Sequence, residues 1–362
     1  MLKFIHMADL HLGITYDTLP SDKAAACQNA QFEALSQMIH IASERNVDAI
    51  LIAGDFFDTP TPAARVFRRA IDILSSAPCP VLLSPGNHDH ICSDSVYLTQ
   101  NLPNHLHVFT TTTLEPFILN SECTIWGAAF DGSSASISLH APLTPALKNI
   151  CVIHTDLKDS SQYNHYSSDE IASSGFDYIA AGHNHAGSIL KKAGKTWYAR
   201  PGALMATNWT ETGTKGCFYI EIDDEARIEP IIGNGFEFQN YTVDISPIPS
   251  DVGLQKAILE LIPKHHDHVI ANFTFTGERV YEPNFQALAR ALEQVYFHCT
   301  IDNRTTLKKP LWRYLQSDDL RGSVSRSFRD RIANAKNEEE KSELLLSFRY
   351  ALAAFDNDEP PK

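Results

Sequence analysis

Five short runs in the first half of the chain carry side chains that bind divalent cations. They are Asp9-Leu10-His11, Gly54-Asp55-Phe56-Phe57-Asp58, Gly86-Asn87-His88-Asp89, His154 after Cys151-Val152-Ile153, and Gly182-His183-Asn184-His185. Each run alone is a weak signal. Together, in this order, they offer the oxygen and nitrogen atoms of Asp9, His11, Asp55, Asn87, His154, His183 and His185. That set is large enough to hold two divalent cations side by side, and mixed Asp, Asn and His ligands point to hydrolysis of a phosphate ester. A carboxylate has two oxygens, so Asp55 can bridge two ions, and Gly54 before it lets the backbone turn sharply. The absence of a thiolate among the ligands favours Mn²⁺, with Fe, Zn or Mg as alternatives.

The elements that must position these loops repeat one pattern. Apolar runs at 2–6, 49–53, 81–84, 150–153 and 178–181 each stop at a ligand-bearing loop. Helical periodicity covers 24–45, with Ala30, Ala34, Leu35, Met38 and Ile39 on one face, and 62–77. Buried strands joined by helices predict α/β layers with the ligands grouped at the carboxyl ends of the strands. From residue 196 the pattern turns to β through 196–199, 216–222 and 227–230, and Gly233-Asn234-Gly235 marks a boundary. Residues 236–316 read as a small α+β domain and 317–362 as a helical tail, with Leu320, Val324, Phe328 and Ile332 at four-residue spacing.

Composition bounds the partners. The net charge is −14, and residues 1–235 hold 25 Asp and Glu against 14 Lys and Arg. Such a chain does not grip duplex nucleic acid unaided, so a partner or a local patch must supply phosphate attraction if DNA is the substrate. The seven cysteines are scattered without a CxxC pair, as expected of reduced thiols in a cytoplasm. The opening residues lack the pattern of a signal peptide, and no apolar stretch is long enough to span a membrane.

The runs DxH, GDxxD, GNHD, H and GHxH resemble the calcineurin-like metallophosphoesterase superfamily across about residues 1–225. The segments KFIHMADLHLG, GDFFDT and RPGALMATNWTETGTKGCFYIEI are similar to its DNA-repair nuclease branch, the SbcD and YhaO-like proteins. In the last segment the family pattern falls on Pro201-Gly202, Glu211 and Lys215-Gly216. The resemblance implies a four-layer α/β/β/α domain over 1–235, a capping domain over 236–316 and a helical, partner-docking tail over 317–362. It implies one metal on Asp9, His11, Asp55 and His185, and another on Asp55, Asn87, His154 and His183. His88 then stands beside the phosphate as a catalytic residue and Asp58 orients it. Arg200 departs from the pattern, where the family often has Tyr.

The activity implied is a 3′-to-5′ exonuclease on duplex DNA and an endonuclease on single strands, working with an SMC-like coiled-coil ATPase in DNA repair. A homodimer through the segment 90–105, with Val96, Tyr97, Leu98 and Leu102, is a further expectation. The competing reading is a phosphatase or phosphodiesterase for a small molecule or phosphoprotein on the same centre, which the acidic balance favours. A non-catalytic scaffold is disfavoured by the intact ligand set. His90, His140, His165 and the run 265–268 are read as solvated or core residues.

Overall fold

The computed structural model describes residues 1–144, 147–157, 163–261 and 267–357. Two compact units emerge: residues 1–242 with 261–274 and 285–302, and residues 243–260 with 275–284 and 303–362. These divisions cut through the 236–316 segment rather than along its ends.

The first unit begins with β1 (Leu2–Met7), α1 (Ser21–Arg45), β2 (Ala49–Ile52), α2 (Ala64–Leu74), β3 (Val81–Leu83), α3 (Val96–Thr99) and β4 (Leu106–Val108). It continues with β5 (Glu115–Ile118), β6 (Cys123–Gly127), β7 (Lys148–Ile153), α4 (Ser168–Ser174), β8 (Tyr178–Ala181), β9 (Ser188–Ala193), β10 (Thr196–Arg200), β11 (Gly216–Ile222) and β12 (Ala226–Ile232). Two six-stranded sheets result, in the orders β12-β11-β1-β2-β3-β4 and β5-β6-β7-β8-β10-β9. The strands that lead into ligand loops, β1, β2 and β3 in one sheet and β7 and β8 in the other, run parallel to their sequence-ordered neighbours.

Alternation along each strand explains the layering, because successive side chains point to opposite faces. Ile50 and Ile52 of β2 face α1 and α2, where they pack with Leu35, Met38, Phe67 and Leu74. Ala49 and Leu51 face the second sheet and meet Ile150, Val152 and Tyr178. The far side of that sheet buries Cys151, Ile153 and Ile179 with Ile171 of α4. The expected α/β/β/α sandwich is therefore present, with every one of α1's predicted core residues buried. Strands β4, β5, β6 and β9 escaped the sequence reading: β4, β5 and β9 lie at sheet edges, β9 exposes Ile189, Lys191 and Lys192, and β6 is a buried interior strand that ends at no ligand loop.

One polar ring crosses the inter-sheet core. His6 of β1 is fully buried, with Nδ1 2.9 Å from the Tyr178 hydroxyl and Nε2 3.1 Å from the Ala181 carbonyl. A carbonyl only accepts, so Nε2 donates and Nδ1 accepts from Tyr178. Burial pushes the His6 pKa down to about 3, which keeps the ring neutral. The pair ties β1 to β8 three residues before Asp9 and two before His183.

The strands β13 (Glu237–Asp244), β14 (Val269–Thr276) and β16 (His298–Asn303) make a three-stranded sheet. Phe238 and Ile270 bury against Tyr16, Cys27 and Met205, all within the first unit. Between those strands lie α5 (Asp251–Leu261), β15 (Glu278–Arg279) and α6 (Phe285–Leu292), followed after β16 by β17 (Thr306–Leu307), α7 (Leu320–Ala333) and α8 (Glu338–Asp356).

In the second unit Phe348 of α8 is fully buried between Trp312 and Phe328, at ring distances of 4.9 and 5.1 Å. Asp356 accepts from Lys309, Arg313 and the Tyr314 hydroxyl. Phe328 is thus used inside the unit, whereas Leu320 is 70% exposed. The expected dimer face also needs correction. Val96 and Tyr97 are buried in the chain's own core and only Leu98 of α3's apolar residues is exposed, so the first two cannot pack on a second copy. No helix of the described residues is long and apolar enough to cross a membrane. All seven cysteines are free thiols.

Candidate metal centre

Strand ends and backbone strain bring the ligands together. Where β1 stops, Asp9 and His11 adopt φ of 52° and 46°, and Asp55 and His183 adopt 49° and 81°. Left-handed backbone costs a non-glycine residue roughly 1–2 kcal/mol, and such strain collects at functional sites. Paired backbone bonds hold it: Asp9 donates to the Gly54 carbonyl at 3.0 Å, His11 to Asp55 at 2.9 Å and Leu12 to Phe56 at 2.9 Å. Gly54, at φ 89°, has no room for a side chain, since a Cβ there would lie 2.2 Å from His154 Nδ1.

The GDFFD and GNHD loops are joined by a residue the sequence reading left without a role. Asp89 is fully buried and accepts from Gly86 N at 2.7 Å, Phe56 N at 2.9 Å, Phe57 N at 3.2 Å and the Tyr97 hydroxyl at 2.5 Å. Burial pushes its pKa up, so each donor matters to keeping it a carboxylate. Tyr97→Phe should therefore destabilise the fold by about 1–3 kcal/mol, read as a lower denaturant midpoint with unchanged slope. An unchanged midpoint would show that Asp89 does not depend on Tyr97.

The seven expected ligands converge. Ligand atoms of Asp9, His11 and His185 lie within 4.8 Å of one another, as do those of Asp9, Asp55 and His154. His11 Nε2 is 3.0 Å from His185 Nε2. Asn87 Oδ1 is 3.0 Å from His154 Nε2 and 3.2 Å from His183 Nδ1, and Asp55 Oδ2 is 3.3 Å from His154 Nε2. The outward nitrogens have acceptors behind them: Asp58 at 3.0 Å from His11 Nδ1, the Ala53 carbonyl at 2.9 Å from His154 Nδ1, and Glu211 at 2.7 Å from His185 Nδ1. With protons on those Nδ1 atoms, lone pairs point inward.

The interior is thus a knot of acceptors, and Asp9 Oδ2 is buried there without a hydrogen-bond partner. Such crowding is costly unless positive charge fills it, which fits divalent cations. The titration shifts agree. Burial works against a charged His154, yet Asp55 and Asp9 outweigh it and hold the pKa up at about 9. Burial and the neighbouring His154 push His183 down to about 4.

His88 stands apart from this knot. Its side chain is 45% exposed, its Nδ1 is 3.5 Å from Asp58 Oδ1, and its ring meets that of His11 edge-on at 4.6 Å. The hydrogen bond to Asp58 holds its pKa up at about 9. Asp58 is closer to His11 than to His88, so it serves two rings where the sequence reading assigned it one. Hydrogen bonds from His11 and His88 outweigh burial and keep Asp58 ionised, with its pKa down at about 2.

Residues outside the motifs find plain places. Arg200 is largely buried, with Nη1 3.6 Å from Asp156 Oδ1. His90 Nδ1 sits 3.1 Å from the Asn87 carbonyl. His140, His165 and His268 are exposed, and His265 and His266 fall outside the described residues. A cavity of about 510 Å³ is lined by Tyr163, Asn164 and His165 rather than by the ligands; it adjoins the centre through Tyr163, whose ring is 4.6 Å from His183, and Asn164, whose Nδ2 donates to the His154 carbonyl at 3.3 Å.

Residues 2–187, just over half of the chain, match the family model described as calcineurin-like phosphoesterase. The chain belongs to the calcineurin-like phosphoesterase family. Three relatives illustrate what the chain is similar to. It is 29% identical over 239 residues to an uncharacterized metallophosphoesterase, YhaO, of Bacillus subtilis, covering 61% of this chain and 57% of that one. It is 24% identical over 301 residues to the DNA double-strand break repair protein Mre11 of Saccharolobus solfataricus, covering 77% and 76%. The SbcD component of the SbcCD nuclease of Bacillus subtilis is 29% identical over 119 residues, 32% of this phosphoesterase and 29% of that protein. This phosphoesterase thus spans little more than half the length of YhaO.

Proposed function

We propose that the chain is a two-metal phosphodiesterase acting on DNA, the nuclease subunit of a DNA-repair complex with an SMC-like coiled-coil ATPase. The observation that carries the chemistry is the convergence of seven O/N ligands around the unpartnered Asp9 Oδ2, with the half-exposed His88 at its side. The names of Mre11 and of the SbcCD nuclease support DNA as the substrate and a multi-component assembly. The net charge of −14 supports a partner that supplies phosphate attraction.

In this reading Asp9, His11, Asp55 and His185 hold one metal, and Asp55, Asn87, His154 and His183 hold the other, with Mn²⁺ favoured by the O/N donor set. Bound ions supply Lewis acidity toward phosphoryl oxygens and a water nucleophile usable near neutral pH. His88 carries the proton that the leaving alkoxide takes up, and Asp58 keeps that imidazole protonated and aimed. We assign a 3′-to-5′ exonuclease on duplex ends and an endonuclease on single strands. Free, unpaired thiols support a cytoplasmic setting.

Labelled linear duplex, labelled single strand and a nucleotide monoester, each incubated with Mn²⁺, test the substrate class. Release of nucleotides from DNA is expected. Turnover of the monoester with DNA left intact would instead favour a small-molecule phosphatase.

A further inference from the structure

The two ends of the acceptor knot are not built alike. At the Asp9, His11 and His185 end, both imidazoles have a carboxylate behind them: Asp58 at 3.0 Å from His11 and Glu211 at 2.7 Å from His185. At the Asn87, His154 and His183 end, Asn87 is neutral, and the nearest atom behind His154 is the Ala53 carbonyl at 2.9 Å, with the Asp9 carboxylate farther off at 3.9 Å. His183 turns its Nδ1 toward Asn87 and His154. A carboxylate behind a ligating histidine fixes its tautomer and raises its basicity, and such supports govern metal affinity by about 10–100-fold.

Glu211 is itself locked. It is 8% exposed, and Oε1 accepts from Thr207 Oγ1 at 2.8 Å and Asn208 Nδ2 at 2.5 Å as well as from His185. Oε2 accepts from Thr207 N at 2.9 Å. These donors together hold the carboxylate in one orientation, the one that keeps the His185 proton on Nδ1 and its Nε2 lone pair facing Asp9 and His11.

We propose that Glu211 is a positioning residue that makes the Asp9, His11 and His185 end the tighter of two unequal metal positions. The centre then loads in sequence, and turnover follows occupancy of the weaker Asn87, His154 and His183 end. The inference rests on the two-metal reading given above.

Glutamine cannot replace this glutamate. With its oxygen toward His185, its amide N–H groups face the Thr207 N–H. In the flipped orientation it donates to His185 Nδ1 and forces the proton onto the nitrogen that should bind metal.

Calorimetric titration of the metal-free full chain with Mn²⁺ tests the proposal, with unfolding temperatures measured with and without Mn²⁺. Wild type should show two phases, and Glu211→Gln should weaken the tighter one by about 10–100-fold while moving the weaker by less than about 3-fold. Asn208→Ala, which removes one donor to Glu211 at the rim, should shift the tighter phase in the same direction by a smaller factor. Two phases of equal affinity in wild type, or equal weakening of both phases in Glu211→Gln, overturns the proposal. If Glu211→Gln fails to fold, Asn208→Ala decides: a tighter phase that does not move overturns it too. Wild type that binds no Mn²⁺ at all would remove the two-metal reading itself, a result distinct from two equal phases.

Discussion

Asp55→Ala should abolish turnover and empty both metal positions at once. Its carboxylate is placed toward both ends of the centre: Oδ2 lies 3.6 Å from His11 Nε2 and 3.3 Å from His154 Nε2. Of the neighbouring carboxylates, Asp89 is bound to backbone amides, and Asp9 has one oxygen held by the His183 N–H at 2.9 Å. Loss of at least about 10⁴-fold in kcat/KM is expected, on the order of 5 kcal/mol of transition-state stabilisation. Metal content by elemental analysis should fall from two per chain toward none. The fold should survive, since the Asp89 hydrogen bonds that join the two loops do not involve the Asp55 side chain, and circular dichroism checks this. A variant that keeps both metals would show that Asp55 does not bridge them.

His88→Ala should behave differently. The ring lies outside the acceptor knot, and the backbone N–H of residue 88 donates to Asp55 Oδ1 at 2.9 Å, a bond that alanine keeps. Metal content should stay at two per chain. Loss of a positioned proton donor should lower kcat by about 10²–10⁴-fold on DNA, whose alkoxide leaving group needs the proton. The loss on a p-nitrophenyl diester should be much smaller, because that leaving group departs as a stable anion. Equal losses on both substrates would remove His88 from the proton-transfer step.

The contrast between these residues shows what could be read before the fold was known. Asp9, Asp55, Asn87, His154 and His183 were legible because an apolar run of strand residues stops beside each, and strand ends in such layers converge. His11 and His185 follow from their i+2 spacing to Asp9 and His183. Glu211 and Asp89 were visible as letters of motifs but not as roles. Their partners are backbone amides and rings brought near by tertiary packing, such as His185 at 26 residues and Phe56 at 33 residues of separation. Spacing along a chain carries no information about such pairs. Two residues of the dimer segment were misplaced for a related reason: apolar residues at 96–102 look the same whether they face a second copy or the chain's own core, and Val96 and Tyr97 face the core. Asp58 was half-read, since the GDxxD spacing shows an acid near the centre but not that His11 and His88 share it.

The most direct measurement is metal content and diester turnover in the same samples. Wild type, Asp55→Ala and His88→Ala are loaded with Mn²⁺, freed of excess, analysed for metal per chain and assayed on bis-p-nitrophenyl phosphate and linear duplex DNA. Two metals with turnover in wild type, none of either in Asp55→Ala, and two metals with selective loss on DNA in His88→Ala are the expected results. Full turnover in a wild-type sample that holds no metal, or in Asp55→Ala, would contradict a two-metal phosphodiesterase.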